Sequence, residues 1–289
     1  MDEWTAAHQI PVGAWVRSAL DVINDHAQGL FDFITFVVGG LINALLVALL
    51  WFNPFVLIAL LAVGVWFLHR SVLLVVAVVV GLLIIMMLPT GGPEGYWQAT
   101  METLALVLCA TFVSVAIGVP VGIAAAHRPW LYTIVRPILD LMQTIPTFVY
   151  LIPTLVLFGL GMVPGLISTV IFAIAAPVRL THLGVSSVPS QLHEAGEAFG
   201  ATRRQLLWKV EIPYALPTIM AGITQCIMLS LSMVVIAALV GADGLGKPVV
   251  RALNTVNVSM GFEAGLAIVV LAILLDRVCK WPARRVRKL

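Results

Sequence analysis

Stretches without a single Asp, Glu, Lys or Arg cover residues 33–69, 71–93, 103–127, 141–178 and 212–242, and a last apolar run covers 264–275. Such runs predict membrane-crossing helices, because ~20 residues rising ~1.5 Å each traverse a hydrocarbon core of ~30 Å. The 141–178 run, 38 residues long, is about twice what one crossing needs and must turn within itself. The cluster Gly159, Gly161, Pro164 and Gly165 supplies that turn. Spans are placed near 53–69, 71–89, 99–126, 133–158, 165–187, 214–240 and 259–277. The pattern predicts an all-α, polytopic integral membrane protein with about seven transmembrane helices. Segment 33–52 is apolar enough to be an eighth, but it follows Asp21, Asp25 and Asp32 and is placed as a helix along the outer interface.

Composition narrows the class. Of 289 residues, 61% are apolar and 10% charged, against about 25% charged in soluble domains. A chain so short of polar surface cannot cover a water-soluble core, so lipid is its solvent. The layout is an N-terminal extracytoplasmic or interfacial segment (1–52), peripheral spans (53–92), a core domain (93–280) holding a large loop (188–213), and a basic tail (281–289). The net charge of +2 makes no case for nucleic acid, but its distribution orients the chain. By the positive-inside rule the tail is cytoplasmic, and alternation then puts 13 of the 16 basic residues inside. The N-terminus falls outside, and Met1-Asp-Glu-Trp4 lacks the basic start of a signal peptide. Cys109, Cys226 and Cys279 have no paired spacing and read as membrane-packing residues. Trp51, Trp66, Trp97, Trp130 and Trp281 fall near segment ends, as an aromatic belt requires.

Candidate chemistry is sparse. Ion-coupled carriers keep ionisable groups inside the membrane, whereas Glu102, Arg136, Asp140, Arg179 and Asp276 all lie near span ends, where they are expected to snorkel to water. Gly241-Ala-Asp-Gly-Leu-Gly-Lys247 matches the start of a phosphate-binding loop, but Pro248 stands where the magnesium-ligating Ser or Thr belongs and no β-strand precedes it. A flexible or close-packed outer loop is expected instead. No catalytic constellation or metal-ligand spacing occurs, and His182 and His193 read as solvated or packing residues. The chain is therefore not read as an enzyme.

Loop 188–213 is organised differently. Leu192, Ala195, Gly196 and Phe199 fall at i, i+3, i+4 and i+7, an apolar stripe with His193, Glu194 and Glu197 off it. Ser190 is expected to cap this helix, Gly200 to end it in a left-handed turn, Thr202-Arg-Arg-Gln205 to open a second helix with a capping box, and Pro213 to stop that one. Two such short helices are marginal alone in water, so a partner could supply their support.

Glu194-Ala-Gly-Glu-Ala-Phe-Gly200, then nine residues, then Val210-Glu-Ile-Pro213 resembles the EAA loop of ABC importer permeases, with Gly196 in place of the second alanine. That glycine should weaken the helix by ~1 kcal/mol relative to alanine. Further matches over roughly 95–278 include Asp140-Leu-Met-Gln-Thr-Ile-Pro146, Thr147-Phe-Val-Tyr-Leu-Ile-Pro153, Leu231-Ser-Met233 and Gly244-Leu-Gly246. They resemble the permeases for glycine betaine, proline betaine and choline. The resemblance implies the type I ABC importer permease fold in the bacterial inner membrane. It also implies a second copy of the chain, two ABC ATPase subunits that bind ATP and Mg, an extracytoplasmic substrate-binding protein and a quaternary ammonium solute. No cofactor is implied for this chain. In that family the loop docks into the ATPase, so Glu194 and Gly200 carry this role across.

Pro146 and Pro153 free backbone groups inside the membrane, tolerated only where helices, water or a cavity satisfy them. With Gln143, Thr144, Tyr150, Ser230, Ser232 and Met233 they are candidates for a translocation path, against a simple role in helix packing. Quaternary ammonium recognition needs converging aromatic faces, and the scattered tryptophans favour a weak chamber here. The competing functions are a stand-alone channel or osmotic-stress sensor, and an ion-coupled carrier.

Overall fold

The structure, a computed structural model, describes residues 11–89 and 95–280. The N-terminal Met-Asp-Glu-Trp and the basic tail 281–289 lie outside the described residues. Helices run α1 Val12–Leu50, α2 Pro54–His69, α3 Val72–Met87, α4 Gly95–His127, α5 Pro129–Thr144, α6 Thr147–Phe158, α7 Met162–Ala173 and α8 Ala175–Ser186. They continue as α9 Ser190–Ala198, α10 Arg203–Leu206, α11 Ile212–Ala237, α12 Gly246–Thr255 and α13 Val258–Cys279. No strand occurs among the described residues. Gly13–Leu50, Gly95–His127, Met162–Ser186, Arg203–Val240 and Val258–Cys279 are long and apolar enough to cross a membrane, and the bent pair α5–α6 makes a sixth when counted as one span. Helices α2 and α3 are apolar but have 16 residues each, about 24 Å, and they cross a ~30 Å core only where it thins or their flanks snorkel.

The span expected over 133–158 is not one helix. It breaks at Ile145-Pro146 and bends by 98°. Proline drives the preceding residue out of helical geometry, and Ile145 is extended at φ −68°, ψ 130°. Pro153 sits inside α6 without breaking it.

Helix α8 lies between α4 and α11, and glycines set both contacts. A Cβ on Gly122 of α4 would meet Val178 O and Thr181 Cβ at 2.7 Å, and one on Gly222 of α11 would meet Leu180 Cβ at 3.0 Å. This is the small-residue packing that replaces the hydrophobic effect in lipid. Around that layer, Ile85 of α3, Leu106 and Val107 of α4, Ile227, Leu231 and Val234 of α11, and Ala264 and Leu271 of α13 form one buried cluster. Helix α2 packs outside it, through Ile58 and Val65 against Val78 and Leu82 of α3 and Leu274 of α13.

The segment 33–52 belongs mostly to α1, a single helix that starts at Val12. Phe31 meets Phe158 edge-on at 5.2 Å, and Val38, Ile42 and Leu45 pack with Cys109, Ala110 and Leu166. All three cysteines are free, and Cys109 and Cys226 are buried.

Glu102 departs from expectation. It does not snorkel: its side chain is buried within the bundle, and Gln98 Nε2 donates to its Oε1 at 3.2 Å. Arg136, Asp140, Arg179 and Asp276 behave as end groups, with Arg179 Nη2 2.6 Å from Asp140 Oδ1 and Lys280 Nζ 2.7 Å from Asp276 Oδ2. The 241–247 loop is close-packed. Leu245 N donates to Thr103 Oγ1 at 2.8 Å, Gly244 abuts the same hydroxyl, and Lys247 is paired with Asp243, so the backbone N–H of Leu245 is already committed and the lysine is taken.

Candidate functional site

The helix pair 188–213 forms as the capping signals predict, with two differences. Gly200 adopts φ +75°, its N–H reaches Glu197 O at 2.8 Å, and Ala201 N reaches Gly196 O at 3.0 Å, closing α9. Thr202 and Gln205 make the reciprocal capping box of α10. Ser190, however, is the first helical residue and caps nothing; Pro189 precedes it. Nor does Pro213 stop the second helix. The chain passes through a π turn, Leu207–Glu211, in which Ile212 N–H bonds to Leu207 O. It continues as α11 with Pro213 in the first turn. Proline in a regular helix clashes with the carbonyl four residues back, and the wider turn accommodates it.

The stripe read from the sequence faces outward, except at Gly196. Leu192, Ala195 and Phe199 are exposed, Phe199 at 92%, together with Glu194, while His193 and Gly196 are half-buried. The inner contact runs through Gly196, where a Cβ would fall 2.4 Å from Leu206 Cδ2. The glycine that weakens the helix therefore admits Leu206 beneath it. The apolar ridge of Leu192, Ala195 and Phe199 is left on the outside.

Beneath the pair lies a residue that the motif reading passed over. The Glu211 side chain, 5% exposed, has Oε1 3.0 Å from His193 Nε2 and Oε2 2.8 Å from His127 Nε2. His193 is thus a partner to a buried carboxylate rather than a solvated or packing residue. The sequence signal was a Glu among apolar positions just before Pro213, but only folding brings in His127, from 84 positions earlier. His182 does pack, stacked on Tyr132 with centroids 3.6 Å apart. No group of three or more His, Cys, Asp or Glu among the described residues could hold a metal.

The translocation candidates divide. Gln143, Thr144 and Pro146, at or beside the bend, and Ser232 on α11 are exposed, and Pro153 is half-buried. Tyr150, Ser230 and Met233 are buried inside the chain. Met233 packs with Leu151 and Val240. Ser230, with Thr111 and Ser114 of α4, lies around the Cys226 thiol between α4 and α11. Tyr150 braces the bend: its hydroxyl donates to Met142 O, the carbonyl that residue 146 would bond in an unbroken helix were it not proline. Tyr150→Phe should leave that carbonyl without its donor and lower stability by ~1–3 kcal/mol, read as a lower melting temperature in detergent. An unchanged melting temperature would remove the bracing role.

A broken span, glycine-packed crossing helices and an exposed helix pair at the end where the basic residues lie define the membrane-embedded subunit of a transporter. Residues 118–288 match the family described as binding-protein-dependent transport system inner membrane component. Among similar proteins, the glycine betaine transport system permease protein OpuAB of Bacillus subtilis is 44% identical over 272 residues, 93% of each chain. The glycine betaine/carnitine transport permease protein GbuB of Listeria monocytogenes is 43% identical over 271 residues, 93% of this chain and 94% of that protein. ProW of Escherichia coli, a glycine betaine/proline betaine transport system permease protein, is 42% identical over 95% of this chain and 76% of its own length. A structure of the MetNI methionine ABC transporter in an inward-facing conformation aligns with a TM-score of 0.61 at 26% identity, over 66% of this chain and 95% of that one. The chain belongs to the binding-protein-dependent transport system inner membrane components and is a multi-pass permease of the ABC importer class.

Proposed function

We propose that this chain is the pore-forming half of an ATP-driven importer for a quaternary ammonium solute of the glycine betaine, proline betaine or choline type. Two copies form the path, two separate ATPase subunits bind ATP and Mg below, and a substrate-binding protein delivers solute from outside. The observation that carries this reading is the exposed ridge of Leu192, Ala195 and Phe199 with Glu194 beside it, on a helix held from behind by Gly196 and His193. A helix presenting its apolar residues to the aqueous side suits a groove on another protein. The solute class rests on what the similar permeases are named for.

The path runs past Gln143, Thr144, Pro146, Pro153 and Ser232. Tyr150 holds the bend, and Ser230 and Met233 back it from within. The α9–α10 pair and the ends of α4 and α13 face the cytoplasm. Helix α1 meets α6 through Phe31 on Phe158, beside a turn (159–164) free of Lys and Arg, and meets α4 and α7 through Val38, Ile42 and Leu45.

Proteoliposomes holding permease, ATPase and binding protein test the function. Uptake of labelled glycine betaine should require ATP and all three parts, and choline and proline betaine should compete. Uptake that persists without the ATPase would favour a channel or carrier instead. In the same system Gly200→Val puts a β-branched residue at φ +75°, a strain of ~1–3 kcal/mol. It should reduce ATP hydrolysis and uptake several-fold while insertion is retained. Native rates in this variant would count against docking through the loop.

A further inference from the structure

We propose that Glu211 is the positioning residue that makes α4 follow α9 when the partner ATPase moves it. This rests on the docking reading above, and concerns what happens on the permease side of that contact. Helix α9 packs mainly on the α10 turn and on the π turn after it. One of its contacts, Gly196 against Leu206, is apolar and nondirectional. The other, His193 to Glu211, is polar and short. The second oxygen, Oε2, lies 2.8 Å from Nε2 of His127, the last residue of α4, a close ion-pair contact without hydrogen-bond geometry.

Each ring is anchored on its own helix. His127 Nδ1 lies 2.9 Å from Ile123 O, one turn back in α4, and His193 Nδ1 lies 3.4 Å from Pro189 O at the start of α9. Each then extends Nε2 to one oxygen of the same carboxylate. A buried carboxylate holds such partners firmly, because losing either one strands charge away from water. The π turn, a device frequent at functional sites, carries Glu211 in this position, two residues ahead of Pro213. The result is a strut between α9, the base of α11 and the end of α4. Beyond it, α4 grips α8 at Gly122, so a displacement of α9 reaches the bundle by a second route besides the covalent one through Gly200.

The measurement is ATP hydrolysed per labelled glycine betaine imported, in proteoliposomes of the full complex. Glu211→Ala should raise this ratio at least fivefold. His193→Ala and His127→Ala should each raise it, and the two together should do no more than Glu211→Ala alone, because all three remove one strut. Glu211→Gln, which keeps shape and one acceptor, should recover more than half of the native coupling. A residue serving only stability would lower the amount of assembled complex and reduce hydrolysis and uptake together, leaving the ratio unchanged. If Glu211→Ala does not assemble, His193→Ala, on the exposed helix, decides the matter alone. A native complex that imports at the expense of ATP, with an unchanged ratio in every variant, overturns the strut and leaves the docking reading intact. Native uptake that needs no ATPase overturns both.

Discussion

Gly122→Val is expected to prevent the permease from holding its folded form in detergent, with a stability loss of ~3 kcal/mol or more. Overpacking a well-filled interior ordinarily costs ~1–3 kcal/mol because neighbouring side chains yield. Here a Cβ alone would fall 2.7 Å from Val178 O and 3.1 Å from His182 N. Backbone cannot rotate away, and α8 cannot retreat, because Ala215 Cβ and Thr218 Cβ of α11 sit 3.1 Å from where a Cβ on Gly184 would stand. The α4–α8 crossing must open, and in lipid no hydrophobic driving force closes it again. Gly222→Ala, facing Leu180 Cβ at 3.0 Å, should cost only ~1 kcal/mol, since a few tenths of an ångström suffice. Size-exclusion profiles of the two variants after graded heating give the comparison. A monodisperse Gly122→Val protein with a native midpoint would show that this crossing is not what holds the bundle.

Phe199→Asp is expected to break the association with the ATPase while leaving the permease itself intact. With 92% of its surface exposed, Phe199 contributes little to the fold, so the melting temperature should not change. Against a partner, a large aromatic at the tip of a docked helix is a strong anchor, and losing it costs ~2 kcal/mol or more, about 30-fold in affinity. The aspartate adds an unpaired charge to the contact. The readout is the amount of ATPase retained on tagged permease during purification. This variant and Gly200→Val attack the same contact by different physics, one through side-chain chemistry and the other through backbone geometry. Retention of the ATPase by Phe199→Asp would mean that the ridge is not the docking face.

Several elements were legible in the pattern of residues because their causes are local. Gly200 and the Thr202–Gln205 capping box each act within four positions, and both occur as read. The apolar runs form helices because lipid leaves backbone groups no other partner. Other readings failed where a distant neighbour intervened. Glu102 is near a span end in sequence, yet the surrounding helices bury it. Pro213 looks like a stop, but a π turn carries the helix through it. The stripe of α9 faces outward except at Gly196, and periodicity reports that a face is apolar without saying which molecule covers it.

The scarcity of charge, the lengths of the apolar runs and the loop motif already made this a multi-pass permease, since burial of an uncharged backbone in lipid depends on composition and length more than on arrangement. Which glycines touch which backbone, that Tyr150 substitutes for the donor Pro146 lacks, and that His127 and His193 share one carboxylate required the folded chain. Those are short contacts between residues up to 84 positions apart, and nothing in a one-dimensional pattern encodes such a meeting until the helices have packed.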